Sequence, residues 1–174
     1  CYRVSVNYIE KNHRIDPYFL GLWLGDGDNN SPSIGSMDKE IISYLYQFAA
    51  KNNFGIHSTI QKNTNPEFKI FYFSKGLRKI LRDEKLSTQD KHIPNEYMID
   101  SRQNRLKLLA GLIDTDGHRC VKKERPNQRQ YEITQKRKHL AEQIQELAMS
   151  LGFYASLRPK MATMKRKEGS IFRK

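Results

Sequence analysis

At 174 residues the chain is long enough for one good core, or two small lobes sharing one. Its 31 Lys+Arg against 19 Asp+Glu leave a net charge of +12 and make nucleic acid the leading partner. No stretch reaches the roughly 18 apolar residues of a membrane span, and two cysteines, Cys1 and Cys120, make neither a disulfide framework nor a zinc motif.

In chain order, Tyr2 to Val6 alternates as a short strand. Asp16-Pro17 is a helix start, with Asp as N-cap and Pro at the first helical position. That helix carries Phe19, Leu20, Leu22, Trp23 and Leu24 and stops at Gly27. The polar run Asp28 to Ser33 reads as a turn. Asp38 caps a second helix, in which Ile41, Ile42, Leu45, Phe48 and Ala49 recur at helical spacing. Ile56 to Gln61 and Phe68 to Phe73 read as strands around the turn at Asn63 to Pro66. Gly76 to Leu81 is helical, and a polar linker leads to Lys91-His92-Ile93-Pro94.

The second half repeats the order. Ser101 caps a helix with Leu106, Leu109, Ala110 and Ile113, ending in Asp114-Thr115-Asp116-Gly117. A basic stretch (Arg119 to Arg129), a strand (Gln130 to Thr134), a helix (Leu140 to Leu151) and a strand at Phe153, Ala155 and Leu157 follow. The two Asp-Gly motifs lie 90 positions apart and the two middle helices about 98, so about eight extra residues fall in the basic stretch. The reading is an α+β duplication of helix–strand–strand–helix, with halves at 1–90 and 91–174. Charge divides unevenly. Residues 1–117 carry 16 basic and 14 acidic side chains, and residues 118–174 carry 15 and 5.

Gly21 and Gly25 lie on one helix face, as do Gly111 and Thr115. Small residues at that spacing let two backbones approach. A crossing there brings Asp26 and Asp116 out side by side at helix C-termini, where they repel each other and the dipole. A hard divalent cation compensates that, since Mg²⁺ takes one or two carboxylates plus water and phosphate oxygens. Either Asp-Gly alone is more simply a turn. An EF-hand reading of Asp26, Asp28 and Asn30 fails, because Ser31 stands where Gly is required and Met37 where Glu is required.

Leu109 to Gly117 closely resembles the motif that names the LAGLIDADG homing endonucleases, with Thr115 for the usual Ala. Phe19 to Gly27 is similar, and with Asp16-Pro17-Tyr18, Lys91 to Pro94 and Ser101-Arg102 it resembles the endonuclease domains embedded in inteins. The resemblance implies two pseudo-symmetric αββαββα repeats, with motif helices at their interface and antiparallel strands forming a saddle over DNA. It implies a monomer that cuts both strands of a long, specific double-stranded site using Mg²⁺ or Mn²⁺, inside the cell, in nucleus or cytoplasm according to host. By this resemblance Asp26, Asp116 and Lys91 are catalytic, Lys91 near the scissile phosphate, and Asp26, Asp116, Gly25 and Thr115 form the metal site. Asp114 matches a variable position and is structural. Without the family match, Lys91 is equally well a solvated surface lysine. His92, His118 and His139 read as surface or supporting residues.

The DNA-contacting candidates are Lys62, Lys69, Arg119, Lys122, Lys123, Arg125, Arg129, Arg158 and Lys160. The symmetry mate of Lys91 is expected near position 189, beyond Lys174, so the second repeat is expected to be incomplete at its C-terminus. Cys1 is expected to be internal to a longer chain rather than a splicing nucleophile. The competing reading is a non-cleaving protein of the same fold, a maturase or a decayed endonuclease, for which paired acids have no use.

Overall fold

The computed structural model describes residues 5–28, 31–60, 65–86, 90–122, 125–160, 163–165 and 171–173, with side chains except at 122, 125–129, 163–165 and 171–173. Cys1, Lys62, Lys123 and most of the strand expected at Tyr2 to Val6 lie outside these residues. Ser5 and Val6 themselves are not in a strand.

Helix α1, Pro17–Asp26, starts as its sequence requires: the Asp16 carboxylate accepts from the Tyr18 and Phe19 N–H groups at 2.9 and 3.3 Å. Buried residues occur almost all round it, from Pro17 through Leu24, so it is a core helix rather than an amphipathic one. Strand β1 (Ser33–Ser36) follows, then α2 (Lys39–Lys51), β2 (Ile56–Ile60), β3 (Lys69–Phe73) and α3 (Lys75–Asp83). The short α4 (Asn95–Met98) leads to α5 (Arg102–Asp116), the hairpin β4 (Gly117–Lys122) and β5 (Arg125–Ile133), α6 (Lys138–Ser150), and the hairpin β6 (Thr163–Lys165) and β7 (Ile171–Arg173).

The first sheet is antiparallel in the order β1-β3-β2, with Phe71 of the central strand between Ile34 and Ser58. Phe71 and Phe73 turn to the helices. Phe19 stacks on Phe48 at 3.9 Å and meets Phe73 edge-on at 5.4 Å. One buried cluster runs from Ile15 to Leu151 and takes in residues of both halves.

The turn expected up to Ser33 ends one residue too late: Ser33 already opens β1. The Asp28 N–H donates to the Ser33 carbonyl at 3.0 Å, and Gly27 forms a single bridge with Ile34. In the second half Gly117 pairs with Ile133, so the same connection spans 16 positions instead of 7. The excess is nine residues, one more than the spacing suggested, and all of it lies in the β4–β5 hairpin. Helices α2 and α6 accordingly start at Lys39 and Lys138, 99 positions apart. The strand expected at Phe153 to Leu157 does not form. Those residues are irregular, and Phe153, Tyr154 and Leu157 are exposed.

The two halves are stapled at the far end of α5. Arg105, fully buried, donates from Nε to the Asp100 carbonyl (2.8 Å), from one terminal nitrogen to the Ser150 carbonyl and hydroxyl (3.1 and 2.6 Å), and from the other to the Val6 carbonyl. Burial alone would push the Asp100 carboxyl up. Bonds from the Lys11 and Ser101 N–H groups, His13 and Asn104 hold it below its usual range instead.

Helices α1 and α5 are the most extensively contacting pair of elements. A methyl group on Gly21 would overlap the Leu108 carbonyl oxygen and lie 2.9 Å from the Gly111 Cα. One on Gly111 would overlap the Tyr18 carbonyl oxygen and lie 2.8 Å from the Leu22 nitrogen. These obstacles are backbone and cannot rotate away. Gly111→Ala should therefore lose about 1–3 kcal/mol by overpacking, despite alanine's advantage of about 1 kcal/mol within a helix. Gly76→Ala in α3 meets only the edge of the Phe54 ring at 3.2 Å and should be neutral or stabilising. Urea unfolding of the two variants checks this: equal stability would place the crossing elsewhere.

Candidate active site at the helix crossing

Asp26 and Asp116 are the last residues of α1 and α5. The crossing brings these two ends together. A Cβ on Gly25 would lie 2.6 Å from the Thr115 Cβ and 3.5 Å from the Asp116 Oδ2. Gly21, Gly25, Gly111 and Thr115 thus form one contact line with the acids at its end. Burial pushes the Asp26 carboxyl above the ordinary aspartate range, with the Lys91 charge pulling against it. Asp116 is pushed up by burial first and by the Asp26 charge second, against Lys91 and a hydrogen bond from the Gln135 amide. The Thr115 hydroxyl is spent on its own helix, donating to the Gly111 and Leu112 carbonyls at 2.9 and 3.3 Å. What Thr115 offers a cation is therefore its main-chain oxygen, as Gly25 must.

Lys91 is neither solvated nor at the surface, which corrects that alternative. It is 5% exposed and lies against the end of α1. Its Nζ donates to the carbonyls of Leu24, Gly25 and Gly27 at 3.0, 3.1 and 2.8 Å, and sits 5.2 Å from the centre of the Trp23 ring. Burial lowers its pKa to about 8, and the Arg137 charge adds to this, while Asp116, Asp26 and Asp28 oppose it. The segment that carries Lys91 is held by α6. The His139 Nε2 bonds the Lys91 carbonyl at 2.9 Å, and the Gln143 amide pairs with both the N–H and the C=O of Ile93 at 2.8 and 3.0 Å.

Gln135 and Gln143 are not legible as site residues, whereas His139 takes the supporting place that was one of its two readings. A lone glutamine after a strand carries no spacing signal, and the α6 pair declares itself only as an i, i+4 match on one helix face. His92 bonds the Asp90 carbonyl at 3.1 Å, and His118 stands opposite Glu132 in the hairpin. Asp114 accepts from the Tyr18 hydroxyl at 2.7 Å and so ties α5 to α1.

Among the described residues, no three His, Cys, Asp or Glu side chains converge, and no helix is long and apolar enough to cross a membrane. The side-chain donors brought together at the crossing are two carboxylates. That set suits a hard cation that keeps water and phosphate oxygens for its other positions, and it does not suit a cage built wholly of protein.

The basic candidates divide. Lys69 alternates with Phe71 and Phe73 and so lies on the helix-covered face, a correction that strand periodicity explains. On the opposite face of that sheet His57 stacks on Tyr72 at 5.2 Å beside Thr59 and Ile70. Arg119 is exposed on β4 opposite Tyr131. Arg158 is exposed, and Lys160 pairs with Glu132 at 2.5 Å. Lys122, Arg125 and Arg129 belong to the β4–β5 hairpin, with side chains outside the described residues; Lys62 and Lys123 lie outside them altogether.

The family model described as a LAGLIDADG-like domain matches residues 103–172. The replicative DNA helicase DnaB of Mycobacterium intracellulare is 31% identical over 162 residues, 93% of this chain and 23% of that protein. The chain thus spans about a quarter of that relative's length. I-DmoI in complex with DNA and manganese is similar in fold, with a TM-score of 0.56 over 87% of this chain and 82% of that one at 15% identity. A substituted I-DmoI with its target DNA and manganese gives 0.55, over 79% and 75%, at 17% identity. Variants of I-DmoI, a homing endonuclease, give 0.56 over 87% and 81% at 14% identity. A motif at the end of each of two crossing helices, a matching family model on the second and a shared fold across most of the chain agree: residues 103–172 belong to a LAGLIDADG-like domain, and the chain has the fold of I-DmoI.

Proposed function

We propose that this chain is a sequence-specific, divalent-metal-dependent endonuclease that cuts both strands of double-stranded DNA as a monomer, as the nuclease part of an intein-type element. The observation that carries this is the pair of carboxylates at the crossing. Two neighbouring acids, Asp26 exposed at its edge and Asp116 half-buried, are each raised by lost hydration and oppose the fold that holds them, and DNA binding alone gives no reason to keep both. Asp26 and Asp116 would hold Mg²⁺ or Mn²⁺ with the Gly25 and Thr115 carbonyl oxygens. The cation would supply Lewis-acid activation of water and neutralise phosphate charge. Gln135 fixes the Asp116 carboxylate, and the β4–β5 hairpin, in the half that carries most of the basic excess, would follow the DNA backbone. Likeness to part of a replicative helicase supports a helicase gene as the host, and its uninterrupted junction as the target.

A supercoiled plasmid carrying that junction, incubated with Mg²⁺ or Mn²⁺, should be linearised. Asp26→Asn or Asp116→Asn should cut about 10²–10³-fold more slowly, as expected from losing several kcal/mol of metal assistance, with DNA affinity within a few-fold of wild type. Equal cutting by either variant removes the assignment.

A raised carboxyl pKa means that the folded protein keeps protons the unfolded chain has released. The resulting stabilisation is complete below the unfolded value near 3.8 and is lost as pH rises through the higher folded values. In metal-free protein at pH 7 the ionised pair therefore opposes folding. Asp116→Asn should raise the metal-free Tm at pH 7 and lose that advantage near pH 4, while added Mn²⁺ should raise the Tm of wild type only. A Tm difference that ignores both pH and metal would contradict this.

DNA binding should weaken steeply with salt. Contact with about 6–10 phosphates gives a log–log slope of about −5 to −9. A slope near zero in a fluorescence-anisotropy titration would rule out backbone binding.

A further inference from the structure

We infer that Lys91 is a positioning residue: it closes the C-terminal end of α1 from beneath and thereby fixes the Gly25 carbonyl and the Asp26 carboxylate, instead of reaching for the scissile phosphate. This rests on the metal-site reading of the two acids given above. An α-helix leaves its last carbonyls without partners inside the helix, and the negative end of its dipole favours a cation there. An ammonium has three N–H bonds to give. Lys91 gives them to three carbonyls at the end of α1, those of Leu24, Gly25 and Gly27, at 2.8–3.1 Å. A lysine so placed can approach a phosphate only by abandoning carbonyls that, at 5% exposure of the side chain, no water replaces directly.

The clamp has a second stage. Lys91 arrives on a segment whose backbone is fixed by His139 and Gln143 of α6. Mechanical support therefore runs from α6 through residues 91–93 into the end of α1. The end of α5 is arranged differently, with the Thr115 hydroxyl on helix carbonyls and the Gln135 amide on Asp116.

The two roles of Lys91 predict opposite signs. If Lys91 only serves the phosphate, Lys91→Met removes a positive charge beside two carboxylates, and Mn²⁺ should bind DNA-free protein more tightly. If Lys91 is the clamp, the same change should weaken Mn²⁺ binding about tenfold, as losing a supporting contact of a metal ligand does. In metal-free protein the Asp26 and Gly27 amides should then exchange their hydrogens about tenfold faster, with the amides of α5 unchanged. Gln143→Leu touches neither acid and should move both readouts the same way by a smaller factor. Calorimetric Mn²⁺ titration and amide exchange on both variants test this. Tighter or equal Mn²⁺ binding, with unchanged exchange at the end of α1, overturns the inference. Should Lys91→Met fail to fold, Gln143→Leu decides by the same two measurements. If wild type shows no Mn²⁺ binding that Asp26→Asn removes, the metal reading fails, and exchange at the end of α1 alone decides the clamp.

Discussion

Everything at this site depends on two backbones touching. At Gly21 and Gly111 the α-carbons of α1 and α5 approach so closely that neither position has room for a methyl group. Helices separated by side chains pack about 8–10 Å apart, and at that spacing two carboxylates at their ends would each find water instead of each other. The glycines close the gap, and Thr115 against Gly25 carries the contact to the last turn. Leu20, Leu22, Leu108 and Leu112, all fully buried around the crossing, supply the apolar attraction that holds it shut. Packing therefore delivers the electrostatics: the acids interact because the glycines let the helices meet.

The close approach carries a penalty that the surroundings only partly offset. Lys91 lies near enough to lower the energy of both ionised acids, yet it is itself buried and already committed to carbonyls. The Gln135 amide serves Asp116 alone. The ionised pair is thus left incompletely compensated, with unfilled demand for positive charge facing outward. Such local frustration in an otherwise consistent fold is the mark of a site selected for chemistry rather than for stability. The far end of α5 shows the contrast. There Arg105 and Asp100 are fully buried and fully bonded, and that end simply holds.

Sequence reading worked where local chemistry decides the outcome. Asp16-Pro17, Asp38 and Ser101 cap helices because each offers an oxygen to free N–H groups, and all three do so here. The alternation in β2 and β3 is likewise local. What escaped is non-local. Ser33 and Ser36 are buried polar residues in a four-residue strand, and only pairing with β3 makes Ser-Ile-Gly-Ser a strand at all. Phe153 to Leu157 has the composition of a strand, yet its Phe153 N–H and Ala155 carbonyl are bonded to α6 instead. Lys69 sits in the right strand with the wrong parity, since a one-residue difference moves a side chain to the other face. Apart from the resemblance, Lys91 reads equally well as a solvated surface lysine, because nothing around it in sequence announces three carbonyls 64 to 67 positions away.

The nine-residue difference between the two hairpins joins this argument to the charge distribution. In the first half, Gly27 already bridges to Ile34, and Ile34 enters the core at once. The corresponding connection from Gly117 to Ile133 extends past the core before returning. Arg119, Val121 and Tyr131 on that hairpin are exposed, and the sequence between them is basic. The first sheet, flush with the core, instead offers the His57–Tyr72 stack. Lengthening one hairpin while leaving the crossing untouched changes how the surface meets a polyanion and leaves the geometry of the acids alone. The two properties can therefore vary independently, because the hairpin extends beyond the core and the acids are fixed within the crossing.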